Sequence, residues 1–141
     1  MRYYEASSTI AAGTEAVWAV LSDGPGWATW DSGVDGVEGR ITAGGTVKIR
    51  SQAVPGRAFP VKVTAFEPLA RLRFNGGLPL GIFRSVRTYE LAPAAGGGTA
   101  FRVREEYTGP LLGLIWRSMP DLGPSFERFA RGLKLRVKSG G

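Results

Sequence analysis

The chain contains no histidine and no cysteine. The first absence removes the imidazole, the side chain best suited to proton transfer near neutral pH. The second removes the thiolate nucleophile, sulfur metal ligation and any disulfide framework. The carboxylates do not recur at metal-ligand spacing, so no metal and no cofactor are expected. A phosphate-binding loop is missing as well, because Gly96-Gly97-Gly98 is not followed by Lys and Ser or Thr. Gly-x-Ser-x-Gly is absent. No apolar run approaches the roughly 20 residues needed to span a bilayer. Met1 to Ile10 carries Arg2 but lacks the apolar core and cleavage site of a signal peptide. A cytoplasmic location is the resulting expectation.

What the chain does have is 141 residues, 43% of them hydrophobic, with seven Phe, four Tyr and four Trp. That length suits one domain over residues 1–141, burying roughly 68–70% of its unfolded surface without staples. The net charge is +6. The basic residues are dispersed, however, and many alternate with apolar ones, as on a solvated sheet face. Arg128, Arg131, Lys134, Arg136 and Lys138 cluster where cations complement the C-terminus of a helix. No specific nucleic acid partner is expected.

The order of elements is informative. Tyr3 to Ile10 reads as a first strand, and Thr14 to Leu21 as a helix with Val17, Trp18 and Leu21 on its apolar side. Gly13 or Thr14 caps it, and Asp23-Gly24-Pro25-Gly26 ends it. Trp27 to Trp30 reads as a short helical turn. Strands follow over Val34 to Ile41, Thr46 to Ala53, Phe59 to Phe66, Ala70 to Asn75, Phe83 to Leu91 and Thr99 to Thr108. The segment Leu111 to Met119 is helical in tone, and a break is expected near residues 120–124. A main helix then runs to about Val137, with Phe126, Phe129, Ala130, Leu133 and Val137 on one face. The alternative is a continuous helix bent at Pro120 or Pro124.

This pattern resembles the polyketide cyclase/dehydrase-like (SRPBCC) branch of the START/Bet v1-like superfamily. The residues that carry the resemblance are Ala16 to Asp23, then Trp27 and Trp30, Gly45-Thr46 and the Glu67-Pro68 turn. Tyr89 to Pro93, Gly98-Thr99 and Gly132-Leu133-Lys134 complete it. The chain departs from the family pattern after Leu133-Lys134, where an acidic residue is expected and Arg136-Val137-Lys138 stands. The resemblance implies an α+β helix-grip fold, a bent antiparallel sheet wrapped around a long C-terminal helix, with two short helices after the first strand. It also implies an internal cavity for a small hydrophobic molecule, with Trp27 and Trp30 bordering the mouth.

The last two strands allow a register argument. If Leu91 pairs with Phe101, then Tyr89 faces Val103, Arg87 faces Glu105 and Ser85 faces Tyr107. All eight side chains share the apolar face. Arg87, Glu105 and Tyr107 are therefore the candidates for polar or catalytic work. The candidate ligand-lining residues are Trp27, Trp30, Phe74, Phe83, Arg87, Tyr89, Phe101, Glu105, Tyr107, Trp116, Phe126, Phe129 and Leu133. Trp116 with Leu111, Leu112 and Ile115 forms a lid, or a contact patch for a homodimer or a membrane. Three functions fit: a carrier of a polyketide, lipid or aromatic metabolite; a cyclase or dehydratase acting by positioning its substrate; or an interaction module using a basic or apolar patch.

Overall fold

The computed structural model describes residues 1–140. Among them, seven strands form one antiparallel sheet in the order β1-β7-β6-β5-β4-β3-β2. The strands are β1 (Arg2–Ile10), β2 (Val34–Glu38), β3 (Thr46–Ser51), β4 (Phe59–Glu67), β5 (Arg71–Leu78), β6 (Phe83–Pro93) and β7 (Thr99–Thr108). The helices are α1 (Thr14–Leu21), α2 (Leu112–Ser118) and α3 (Gly123–Gly140), with a 3₁₀ turn at Pro25–Thr29. Strands β2 to β7 form a meander, and β1 closes onto β7 at the far side. The sheet curls around α3, the helix-grip arrangement that the resemblance implied.

Each element follows from its residues. Helix α1 begins at Gly13, whose extended backbone leaves its carbonyl free to accept from the Val17 amide. At its other end the Trp27 indole donates to the Leu21 carbonyl at 3.0 Å, tying the 3₁₀ turn to the helix it follows. In α3 the stripe Phe126, Phe129, Ala130, Leu133 and Val137 is buried against the sheet. The break before it is real: α2 stops at Ser118, and Asp121 accepts from the Gly123 amide as the chain re-enters a helix. The single bent helix is thereby excluded. α3 then runs past Val137 to Gly140.

Some strand ends differ from expectation. β2 stops at Glu38 rather than Ile41, because the chain turns through Gly39 at φ +100°. Ile41 still reaches the core from the loop. β5 extends beyond Asn75 to Leu78. It crosses Gly76 and Gly77, where a Cβ at Gly77 would meet the Phe83 carbonyl at 2.2 Å. Two close-packed backbones explain a strand that its side chains do not announce.

The outer face of the sheet is a charge lattice. Arg102 pairs with Glu5 and Glu90, Arg71 with Glu67 and Glu90, and Arg104 with Glu5 and Glu106. An open groove of about 600 Å³ crosses this face between Thr64, Arg73, Thr88 and Arg104. Dispersed cations thus serve the solvated face of the sheet.

α3 is held closely by the segment between the 3₁₀ turn and β2. A Cβ on Gly132 would lie 1.9 Å from the Asp31 carbonyl oxygen. Gly132→Ala therefore lowers stability by about 2 kcal/mol or more in denaturant unfolding, against the roughly 1 kcal/mol that alanine gains in a helix interior. Gly113→Ala in α2 meets nothing within 4 Å and shows only the propensity gain, up to about 1 kcal/mol.

Candidate functional site

The register of β6 and β7 is the one the alternation predicted: Leu91 opposite Phe101, Tyr89 opposite Val103, Arg87 opposite Glu105, Ser85 opposite Tyr107. Leu91, Tyr89, Phe101 and Val103 are buried on the concave face. Arg87 Nη2 donates to Glu105 Oε1 at 3.0 Å, and the Tyr107 hydroxyl donates to the same oxygen at 2.6 Å. The Arg87 and Glu105 side chains are 24% and 12% exposed, so the pair sits at the edge of the core. The guanidinium lies 4.8 Å above the Phe126 ring and reaches the Tyr89 hydroxyl at 3.5 Å. Its Nε is buried without an acceptor among the described residues.

Aromatic side chains surround this group. Tyr4 stacks on Trp116 at 5.2 Å and approaches Phe126 at 5.7 Å and Tyr107 at 6.0 Å. Phe83 stacks on Tyr107 at 6.1 Å. The site thus draws on β1, β6, β7, α2 and α3, with Trp116 covering it from outside. No residue of α2 is fully buried. Tyr4 escaped sequence reasoning, although its alternation with Ala6, Ser8 and Ile10 placed it on the inner face of β1.

The remaining candidates form a second group deeper in the molecule. Phe129 meets Trp27 at 5.0 Å, Trp30 at 5.2 Å, Tyr89 at 5.5 Å and Phe101 at 6.2 Å. Phe74 packs on Trp27 and Tyr89, and Leu133 is wholly buried beside them. Trp27 is 0% exposed. It therefore stands at the centre of the core and not at a mouth, since its indole N–H is satisfied inside, by Leu21. These rings pack against one another between the sheet and α3. Trp30 keeps a half-buried position, with a buried indole N–H that has no partner among the described residues.

The chemistry of the polar group is constrained. Burial is the largest single effect on Arg87 and disfavours the cation, but Glu105 together with the Tyr89 and Tyr107 oxygens outweighs it, and the net shift is upward. Burial, then Glu105, raises the Tyr107 phenol, and burial also raises Tyr89. Near neutral pH Arg87 is thus a fixed cation beside two neutral phenols. It can hold and orient an acceptor. Among the described residues no acidic cluster is able to hold a metal ion, and no helix is long and apolar enough to cross a membrane.

The profile of the family described as polyketide cyclase/dehydrase and lipid transport matches residues 1–138. The chain belongs to that family. No curated protein matches its sequence. Solved structures share its fold. A Thermus thermophilus protein is 22% identical with a TM-score of 0.73, each chain 99% covered. A START superfamily protein from Mycobacterium smegmatis is 16% identical with a TM-score of 0.71, again 99% covered on both sides. DynU16, from the dynemicin biosynthetic locus, is 18% identical with a TM-score of 0.72; 98% of the present chain matches 48% of that one.

The cluster gives two measurable consequences. Glu105→Gln leaves Arg87 without its counter-charge at a mostly buried position. The loss in denaturant unfolding is about 2 kcal/mol, between the 0–1 of an exposed pair and the 3–5 of a fully buried one. A loss under about 1 kcal/mol places the pair in solvent. Alkaline pH supplies the second test. In the unfolded chain Tyr107 ionises near the ordinary tyrosine value of 10.0, whereas the folded phenol keeps its proton to higher pH. Stability is therefore complete below that value and falls as pH rises beyond it. Thermal melts across this range show a shallower alkaline decline for Tyr107→Phe.

Proposed function

We propose that this protein binds and carries a small hydrophobic molecule, such as a polyketide, lipid or aromatic metabolite, that bears one anionic or carbonyl oxygen. The supporting observation is Arg87. It is a cation on the apolar inner face, with a buried Nε that has no acceptor among the described residues and aromatic rings on several sides. A ligand oxygen at that nitrogen completes its hydrogen bonding, and Tyr4, Phe83, Trp116 and Phe126 offer faces to the apolar body. Entry requires Trp116 to leave Tyr4. α2 is suited to this movement, since it has no fully buried residue and is flanked by Gly109-Pro110 and by Pro120 to Gly123.

A cyclase or dehydratase reading draws support from the family and from the biosynthetic locus of DynU16. In that case the chain acts by positioning: Arg87 polarises a carbonyl, and Glu105 is the one carboxylate beside it. Turnover of an activated ketide mimic separates the two readings.

Binding of 1-anilinonaphthalene-8-sulfonate, an aromatic body carrying one anion, tests the common element. Arg87→Met weakens its binding by about tenfold or more, the weight of one charge-assisted contact. Glu105→Gln frees Arg87 and tightens binding even as it destabilises the fold. Unchanged affinity in folded Arg87→Met overturns the assignment.

A further inference from the structure

The β5–β6 hairpin and the start of α2 meet at one end of the molecule. The Leu111 amide donates to the Ile82 carbonyl at 2.9 Å. Gly109 packs so closely that a Cβ there would lie 2.6 Å from the same carbonyl oxygen. The two segments therefore present one surface. It carries Leu78, Pro79, Leu80, Pro110 and Leu114, all exposed. Leu80 is 98% exposed and Leu114 66%.

Leu80 is the unusual member. It sits at φ +62°, the left-handed region that favours glycine. A leucine there carries backbone strain, and its side chain gains nothing from the fold. Leu69, at the opposite end of β5, has a similar φ of +70° but is only 40% exposed and lies between Glu67 and Arg71, which pair with each other. Single exposed leucines are ordinary, whereas a projecting group of them marks a contact surface.

Three arginines lie around this end. Arg84 is the second residue of β6, Arg117 lies one turn beyond Leu114, and the Arg2 guanidinium lies 5.4 Å over the Trp116 ring. Among the described residues none of the three pairs with a carboxylate. Of the nearest acids along the chain, Glu106 pairs with Arg104 and Asp121 accepts from the Gly123 amide, which leaves the three arginines in excess.

We propose that this end docks on an anionic lipid bilayer, with Leu80 and Leu114 among the acyl chains and Arg2, Arg84 and Arg117 at the headgroup phosphates. A projecting apolar tip needs no complementary pocket in a deformable acyl phase. The three unpaired cations match lipid phosphates, and long arginine stems allow the heads to stay at the interface. Two-fold self-association through the same patch sets three arginines against three. The surface adjoins the Arg87 site but is independent of any ligand there.

Co-sedimentation with vesicles tests this, using phosphatidylcholine alone and phosphatidylcholine mixed with phosphatidylglycerol. The protein sediments with the mixed vesicles and not with the neutral ones, and added salt releases it. Leu80→Glu combined with Leu114→Glu lowers the partition coefficient by about tenfold or more, with an unchanged unfolding midpoint, because both side chains are exposed. Arg84→Gln with Arg117→Gln keeps the fold and reduces the preference for phosphatidylglycerol. Absence of binding to mixed vesicles, or equal partition of the leucine variant, overturns the proposal. A dimer in sedimentation velocity that Leu80→Glu dissociates overturns it too, and assigns the patch to a second copy of the chain.

Discussion

The interior is organised around one ring. Phe129, on the helix face, touches Trp27 and Trp30 from the entry segment, Tyr89 from β6 and Phe101 from β7. Edge-to-face and tilted aromatic pairs contribute about 0.5–1.5 kcal/mol each beyond the area they bury. Such contacts also require specific distances, and so they fix how closely α3 approaches the sheet. Gly132 expresses the same constraint one turn later, because the helix can settle on the Trp30–Asp31 backbone where it has no Cβ. Arg128 adds a polar brace from the outer side of α3, with Nε donating to Asp31 at 2.7 Å and Nη1 to Gln52 at 2.7 Å.

A core filled in this way determines where polar chemistry is possible. Among the rings a charge would lack both water and partners. Arg87 and Glu105 instead lie two residues along their strands from Tyr89 and Val103, where the core thins toward α2. A partly hydrated pair avoids most of the desolvation penalty that makes fully buried ion pairs expensive. Tyr107 then shares the Glu105 oxygen with Arg87, which leaves the guanidinium free to turn its Nε inward. Polar capacity, aromatic faces and a loosely attached helical cover consequently meet at the same end, and each follows from the closure of the other end.

Much of this was legible in the sequence because two periodicities are clean. Period-two alternation placed Arg87 opposite Glu105, and the Phe126/Phe129/Leu133 spacing oriented α3. Pro120, Gly123 and Pro124 located the break between the two C-terminal helices. Other features depend on contacts that no local pattern records. Trp27 shifted from a presumed rim to the centre because Leu21 offers its carbonyl to the indole. β5 outran its side-chain pattern because Gly77 lies against the Phe83–Arg84 backbone. A ring of aromatic residues reads identically whether it lines a cavity or fills one, since the difference is set by side-chain rotamers and the distance between layers. The left-handed backbone at Leu80 was equally silent, as the Gly81 that follows it is the residue a turn reading favours there.

The two faces of β6 and β7 also explain why the register holds. On β7 the inner residues are Phe101, Val103, Glu105 and Tyr107, and the intervening Arg102, Arg104 and Glu106 belong to the outer charge lattice. A slip of one residue exchanges these sets. Arg102, Arg104 and Glu106 would enter the aromatic core, and Phe101 and Val103 would leave it. Glu105 would leave the inner face with them, and Glu106 would be the one β7 carboxylate brought in against two arginines. The outer lattice is made of exposed pairs, each worth little by itself. Its main contribution is therefore to make every alternative pairing of these strands unfavourable. That exclusion keeps Arg87 opposite Glu105, and any function of the pair depends on it.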